Sequence, residues 1–364
     1  MAIYYFNLAL LPLALLAVLV LRREVELVTL FIIGVAAISI SALRWASDID
    51  HMEYAQMFEE NPDLPAFNAD SIATLHGEPG YLFISAIIKS LGFGFVTLSS
   101  ICALFAIGAK VLVAKGLSRS SSLVVALYLC IHFVTIEFIQ IRWAVATALI
   151  MIAIYLQARR HLAAAFAVLL VSTSIHYFAA IFFLVCLLAE VRNEKTFYAV
   201  VFLVALAGVG LAADGFHFPL VGDSELYVVK RALRYLTDPL SDVGVLSYAK
   251  IAIFPVLFCI LEKKYPHVKN DKVVRFLKRV AFASIAATML VSFIPLMHFR
   301  AVVVADFLSL LLVFRMLDHR VRVEDRAAIA LVFCALYGTW FVVDIDNYVA
   351  ADRLYPYQTW IQRD

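Results

Sequence analysis

Charged residues are scarce in this chain, and their scarcity excludes most soluble folds. Only 16% of the 364 residues are Asp, Glu, Lys or Arg, whereas 64% are hydrophobic. A soluble globular domain is about a quarter charged and roughly half apolar. The formal net charge of +2 also gives no sign of nucleic-acid binding. The composition predicts an all-α bundle of transmembrane helices, whose backbone hydrogen bonds are satisfied within each segment.

Motifs of soluble enzymes are missing as well. The chain has no phosphate-binding glycine loop, no HExxH, no GxSxG and no CxxC. Its five cysteines all fall in apolar runs, and its nine histidines show no metal-ligand spacing. The first positive charges, Arg22 and Arg23, follow the first apolar stretch, which predicts a retained helix that starts outside and not a cleaved signal peptide. We therefore expect no disulfide framework, no metal site and no cofactor.

Apolar runs divide the chain into about a dozen hydrophobic segments. Ten are long enough, or nearly so, to cross a bilayer: 3–21, 27–43, 96–114, 123–139, 141–157, 197–213, 246–261, 280–295, 297–317 and 327–343. Residues 81–91 are too short to cross alone. Residues 162–189 are long for one helix and short for two, so we predict two half-membrane helices that meet near His176. No internal repeat is visible, and the chain is expected to be a single membrane domain over residues 1–364.

Basic residues supply the predicted orientation. If the chain is broken near His176, six clusters of Lys and Arg residues lie on one side of the membrane, and Lys110 lies on that side as well. By the positive-inside rule that side is cytoplasmic, and the long loops 44–79 and 214–245 face the periplasm. The first loop is acidic. The second contains a predicted in-plane helix with Lys230, Arg231 and Arg234 on one side. Long loops of this kind are commonly functional.

Two arginines lie at the predicted outer ends of apolar helices, where the positive-inside bias disfavours cations. Arg142 opens the helix 143–157, and Arg300 opens another. Each has two readings: an anchor that snorkels to the interface, or a ligand for pyrophosphate, whose oxygens match the guanidinium fork. Glu137, about one turn before Arg142, is a candidate neutralising partner.

Acids and one histidine supply the other candidates. Glu78 precedes a helix start at Pro79, where a carboxylate can complement the helix dipole or act chemically. Asp48 and Asp50 follow a span and can be a solvated charge run. His176 is either a hydrogen-bonded core histidine or a base at the predicted helix break.

Four short motifs, taken together, resemble a known family. In chain order they are Arg44…Asp48-Ile49-Asp50…Tyr54, Glu78-Pro79-Gly80-Tyr81, Ile141-Arg142-Trp143-Ala144-Val145-Ala146 and Ser174-Ile175-His176-Tyr177. They resemble the EpsG branch of the Wzy-like polysaccharide polymerases over residues 44–189, and the Arg300 helix is similar to a later segment of that family. Trp143 stands where the family usually has glutamine, and Ser47 where it usually has glycine.

The resemblance implies a metal-independent glycosyltransferase of GT-C-like architecture at the outer face of the bacterial inner membrane. A glycan would pass from undecaprenyl pyrophosphate to the non-reducing sugar of a lipid-linked repeat unit; a chain-length regulator is a possible protein partner. The implied base is Asp50 or Glu78, with His176 as the alternative. The implied pyrophosphate and substrate ligands are Arg142, Arg300, Arg231, Arg234, Arg44 and Tyr54.

Two other functions fit the same sequence features. An O-antigen ligase differs from a polymerase only in its acceptor, which the sequence does not identify. A flippase or transporter of a lipid-linked or anionic substrate would also have broken helices and intramembrane charges.

Overall fold

The computed structural model describes residues 5–20, 22–75, 77–213, 245–319, 321–350, 354 and 357–363. Nearly all of these residues are helical. The described α-helices are α1 (Phe6–Val20), α2 (Arg23–Leu43), α3 (His51–Glu60), α4 (Ala69–Thr74), α5 (Pro79–Ser90), α6 (Phe95–Leu117), α7 (Ser121–His132), α8 (Ile141–Ala158), α9 (Leu162–Ile175), α10 (Ile181–Ala189), α11 (Glu194–Ala213), α12 (Val245–Lys264), α13 (Lys272–Leu290), α14 (Pro295–Leu317) and α15 (Val323–Ala350).

The predicted all-α polytopic membrane fold is confirmed. Seven of the described helices are long and apolar enough to cross a bilayer: α2, α6, α7 with the π-helical turns Phe133–Ile139, α8, α11, α14 and most of α15. The other predicted segments coincide with α1, α5, α9, α10, α12 and α13. Both bounds of α13 differ from the predicted run 280–295: the helix begins at Lys272 and ends at Leu290, and Pro295 begins α14 instead of ending the helix before it. Proline suits the first helical position because its missing N–H would have no intrahelical partner there.

The predicted break near His176 is also confirmed. Helix α9 ends at Ile175, His176 is extended with φ −153° and ψ 114°, and a 3₁₀ turn over Tyr177–Ala180 precedes α10. The predicted run 162–189 is therefore two short helices, each under the length of a membrane span.

Contacts divide the chain into two compact units. Unit 1 comprises Met1–Ala179 and Phe314–Asp364. Its packing is dominated by α6 against α8, α8 against α9, α2 against α6 and α1 against α7. Every residue of α7 is buried, which makes it the central helix of this unit, since a helix that is apolar all round is covered on every side.

Unit 2 comprises Ala180–Val313 and is built mainly by α13 against α10 and α11. Asp271 caps α13 by accepting hydrogen bonds from the Val273 and Val274 amides. Gly208 of α11 touches the end of α13 so closely that an added Cβ would lie 2.0 Å from the Met289 carbonyl oxygen. Small residues permit such close helix contacts in membrane proteins.

A two-stranded antiparallel sheet closes one end of unit 1. Strand β1 (Arg44–Trp45) pairs with β2 (Gln358–Thr359), with Arg44 opposite Thr359. Ser47 accepts a hydrogen bond from the Gln358 amide, and a bridge joins Asp48 to Leu354. The C-terminal tail therefore holds the segment that carries the first motif.

Candidate active site

The four motifs lie on different elements of unit 1, and tertiary packing brings them together. The first follows α2 and continues into α3, the second opens α5, the third opens α8, and the fourth ends α9. Helix α5 packs on α9 at Gly80, where an added Cβ would lie 2.4 Å from Ser174 Oγ and 2.9 Å from the Ser174 carbonyl carbon. Only glycine allows this approach, so the second and fourth motifs depend on each other for their placement.

Arg142 and Glu78 form the centre of the site. Arg142 Nη1 donates to Glu78 Oε2 at 2.5 Å, and the two side chains are only 9% and 3% exposed. Glu78 is the N-cap residue of α5, yet its side chain makes no capping hydrogen bond. The carboxylate is therefore directed at the arginine, and this contact is stronger than a helix-dipole interaction because both charges are buried.

Two tyrosines bracket the Arg142 guanidinium. Its Cζ atom lies 5.2 Å from the centre of the Tyr54 ring and 5.8 Å from that of Tyr81. Lys89 of α5 ties α3 to α5 by donating to the Glu59 and Asn61 carbonyls at 2.6 and 2.8 Å. The helices that carry the tyrosines are thus held in register around the cation.

Arg44 is a second buried cation, 2% exposed. Its Nε lies 3.7 Å from Asp48 Oδ2, and its Cζ lies 4.7 Å from the centre of the Phe138 ring. None of its three guanidinium nitrogens has a hydrogen-bond partner among the described residues. Such unused donors are costly when buried, so Arg44 retains capacity for an anionic or hydroxyl-rich ligand.

Asp50 is a half-buried carboxylate beside both arginines, at the N-terminus of α3. Burial, reinforced by repulsion from Asp48 and Glu53, raises its pKa from 3.8 to about 6, against the opposing attraction of Arg142 and Arg44. The adjacent His51 behaves oppositely, because burial and Arg44 lower its pKa to about 4. A carboxylate whose pKa is near the working pH is the better general base of the two.

His176, in the fourth motif, contacts Trp143 of the third motif. Its ring centre is 5.0 Å from the centre of the Trp143 ring, and its Nδ1 accepts a hydrogen bond from the Phe178 amide at 3.3 Å. Trp143 is 1% exposed and also packs on Phe178. Trp143 therefore packs on the fourth motif and fills the space between the two motifs.

A model of the EpsG family matches residues 27–359, nearly the whole chain. The chain belongs to the EpsG family. This family is related to the Wzy-like polymerases, so a polysaccharide polymerase-like, glycosyltransferase-like role follows at a coarse level. No curated protein and no solved structure matches the chain.

Some predicted residues of this EpsG-family chain are not part of the cluster in unit 1. Arg300 is half-buried on α14, in the part of that helix that belongs to unit 2, together with the buried His298 and Asp306. Arg231 and Arg234 lie outside the described residues. The cluster in unit 1 thus contains Asp50, Glu78, Arg142, Arg44 and Tyr54, with His176 beside it.

The proposed pairing of Glu137 with Arg142 is wrong. Glu137 Oε1 accepts from Lys110 Nζ and from the Tyr128 hydroxyl, both at 2.7 Å. Lys110 is 1% exposed, so it is an internal residue and not one of the surface cations with which the sequence grouped it. Residues 133–139 form a π-helix, so the six residues from Glu137 to Arg142 do not form one regular helical turn.

Sequence reasoning missed several residues of the EpsG-family site. Tyr81, Phe138 and His51 all line it, and Tyr357 reaches it from the tail, with its ring 6.1 Å from Phe138. Tyr81 is the last residue of the second motif, although no role was predicted for it, and His51 follows Asp50, so membership of a motif or proximity to one was an available signal. Nothing in the sequence linked Tyr357 to them. In the described ranges, no group of three or more His, Cys, Asp or Glu residues is arranged to hold a metal ion.

Proposed function

We propose that this protein is a polysaccharide polymerase that moves a glycan from undecaprenyl pyrophosphate to the non-reducing end of a lipid-linked repeat unit at the periplasmic face. The acceptor hydroxyl oxygen forms a bond to the anomeric carbon of the donor. The bond between that carbon and the pyrophosphate oxygen breaks, the hydroxyl proton passes to a base, and the pyrophosphate leaves with the bonding electrons. The reaction therefore needs a base and cations close together.

The buried Arg142–Glu78 pair beside Asp50 is the observation that carries this proposal. Asp50 is the favoured base: its pKa of about 6 leaves it mostly ionised at neutral pH, and it still binds a proton readily. Glu78 is better suited to hold Arg142 in position, because its carboxylate already accepts a charge-assisted hydrogen bond.

His176 is a less suitable base in this arrangement. Its Nδ1 accepts the Phe178 amide hydrogen bond, so proton transfer by the imidazole would have to use Nε2. Its contact with Trp143 favours a positioning role for the start of α8, which carries Arg142.

The pyrophosphate needs more positive charge than the unit 1 cluster provides. Arg44 and Arg142 face Asp48, Asp50 and Glu78, so with all groups ionised the cluster carries two positive and three negative charges. We infer that Arg142 contacts the leaving oxygen. From the family resemblance alone, we also propose Arg300, Arg231 and Arg234 as cations for the pyrophosphate. A guanidinium is suited to each position because it offers a planar fork of donors to phosphate oxygens.

The glycan ladder of cells that lack the protein tests the function as a whole. A polymerase predicts that long chains vanish while single repeat units remain on the surface. Loss of all surface glycan would instead favour ligation or transport. A topology reporter fused after Ala213 tests the sidedness, and a cytoplasmic signal there would contradict a periplasmic second loop. A chain-length regulator, as an additional partner, would change only the distribution of ladder lengths.

Arg142→Lys tests the assigned chemistry at matched protein level. Lysine keeps the charge but cannot, with one planar group, stack on the Tyr54 ring and donate to both Glu78 and a leaving oxygen. Loss of such a contact typically costs roughly a hundredfold or more in turnover. Arg322→Lys, at an exposed arginine outside the site, is the control and should be neutral. Near-normal polymer from Arg142→Lys would mean that this arginine only anchors its helix.

A further inference from the structure

Unit 1 has a second charged cavity at the end of α2 opposite the candidate active site. The cavity has a volume of about 550 Å³, and its charged lining consists of Arg22, Arg23, Arg119, Arg326, Glu26 and Asp318. These residues lie at the ends of helices or in the turns between them. Helix α2 spans about 32 Å at 1.5 Å per residue, so the cavity lies a membrane thickness from Arg44. By the positive-inside rule this end is cytoplasmic.

The two acids in this cavity are already satisfied by uncharged donors. Glu26 accepts hydrogen bonds from the Ser121 hydroxyl and from the Ser122 amide and hydroxyl. Asp318 accepts from the Ser118 and Ser120 hydroxyls and from the Arg119 amide. Their negative charge thus serves to fix the loop between α6 and α7, and it leaves the cavity with four cations against two anions.

The four arginines keep unused donors. Arg23 donates to the Arg119 carbonyl at 3.2 Å, and Arg326 donates to the Leu317 carbonyl at 2.6 Å. Arg326 Nε is buried with no hydrogen-bond partner among the described residues. Within those residues none of the four forms an ion pair. An anion with several oxygens would satisfy these donors.

An apolar groove continues from the same arginine. A cavity of about 730 Å³ between α6 and α8 is lined by Arg23 and Lys115 at its charged end and by Leu104, Phe105 and Leu112 along its length. Leu104 and Leu112 are 58% and 66% exposed. Gly108 also lines the groove, and an added Cβ there would meet no atom within 4 Å. The floor is therefore open and wide enough for an acyl chain.

We propose that this part of unit 1 binds an anionic phospholipid of the cytoplasmic leaflet. The phosphate would occupy the arginine cavity, and one acyl chain would lie in the groove below Arg23. Charge complementarity and the continuity of the two cavities both favour this occupant over a neutral lipid. Basic pockets between transmembrane helices on the cytoplasmic side are typical binding sites for such headgroups. The site is separate from the catalytic cluster and does not depend on the proposed reaction.

Native mass spectrometry of the full-length protein tests this proposal. Lipid is added to the protein in detergent, and the lipid that stays bound after release from the detergent is measured. The probes are cardiolipin and phosphatidylglycerol, with phosphatidylcholine as the neutral lipid and inorganic pyrophosphate as the soluble anion. We expect retention of the anionic lipids only. Arg22→Gln/Arg119→Gln should weaken that retention by about tenfold or more, since each cation contributes a factor of about five near an anionic lipid. Gly108→Phe should weaken it without any change of charge.

Arg322→Gln/Lys195→Gln is the matched control, because it removes two exposed cations that do not line either cavity. It should retain the lipid as the unaltered protein does. Equal retention of phosphatidylcholine would overturn the proposal, as would thermal stabilisation by pyrophosphate that equals the stabilisation by lipid. Full retention by both the double arginine variant and Gly108→Phe would also overturn it.

Discussion

Two buried ion pairs in unit 1 resemble each other in length but differ in their surroundings. Arg142 and Glu78 lie 2.5 Å apart, and Lys110 and Glu137 lie 2.7 Å apart. Lys110 also donates to the Ala144 carbonyl at 3.0 Å, and Tyr128 adds a third hydrogen bond to the pair. Around Arg142, the Arg142 Nε, the Tyr81 hydroxyl and all three Arg44 guanidinium nitrogens have no hydrogen-bond partner among the described residues.

This difference is the one we expect between a structural pair and a pair in an active site. At the Lys110 pair, only Glu137 Oε2 has no hydrogen-bond partner in the described part of the chain. Buried polar groups normally form hydrogen bonds. Several buried donors without a partner in one place therefore indicate a ligand site, whereas a single such group does not. By the criterion of buried charge alone, both pairs would be candidates for a functional site. The unused donors around Arg142 and Arg44 favour that region as the place where a ligand binds.

Removing the charge of Asp50 tests the reactive region most severely. Asp50→Asn keeps the shape of the side chain but cannot accept the acceptor proton, so polymer formation should fall by roughly a hundredfold to ten-thousandfold. The measurement is chain length and turnover in a strain that lacks the protein, complemented at equal protein level. Glu60→Gln removes an exposed acid from the far end of the same helix and should be neutral. Full-length glycan from Asp50→Asn would leave Glu78 or His176 as the base.

Replacing the Lys110 pair tests the structural region. Lys110→Met leaves Glu137 buried without its cation and should destabilise the protein by about 3–5 kcal/mol. Lys110→Met/Glu137→Gln removes both charges, and we expect it to recover most of the lost protein level in membranes, because Tyr128 can still donate to the glutamine. Activity per molecule of the double variant should be close to normal. A well-folded but inactive double variant would place the Lys110 pair in the reaction.

The Gly80 contact tests whether the placement of the motifs matters. Gly80→Ala forces α5 away from the Ser174 backbone, and overpacking of this kind costs about 1–3 kcal/mol. Because Glu78 lies two residues earlier, turnover should fall more than protein level does. Gly94→Ala is the control, since its added Cβ meets no atom within 4 Å. Equal behaviour of the two variants would show that the α5–α9 contact is not needed for activity.

The smallest expected effect is the dependence on pH. If Asp50 is the base, turnover in membrane vesicles should rise as pH increases through about 6 and then level off. The free energy of unfolding should change in the opposite sense. Folding raises the pKa of Asp50 above its ordinary value, so between pH about 4 and about 6 the folded state binds more protons than the unfolded state. Asp50 therefore favours folding at low pH, and that contribution is lost as pH rises. An Asp50→Asn protein whose residual activity keeps the same profile would contradict the assignment.

The sequence alone determined the class of the protein, and it named most of the residues that the structure brings together in the candidate site. The scarcity of charge and the length of the apolar runs predicted a helical membrane bundle, because a helix satisfies its own backbone hydrogen bonds within the bilayer. The break at His176 was readable because polar residues interrupt a run too long for one helix. Arg44, Asp50, Tyr54, Glu78, Arg142 and His176 all belong to four short motifs, which can be read from the sequence because their spacing does not depend on the fold.

Only the tertiary structure decided which charges face each other. Lys110 and Glu137 are 27 residues apart, and Glu78 and Arg142 are 64 apart; neither pairing follows a helical or strand period, so no local pattern could predict it. The same is true of the tail, which reaches Ser47 from Gln358 across 311 residues. Periodicity reports which face of an element is apolar. Partners across elements are selected by packing, which depends on every helix of the unit at once.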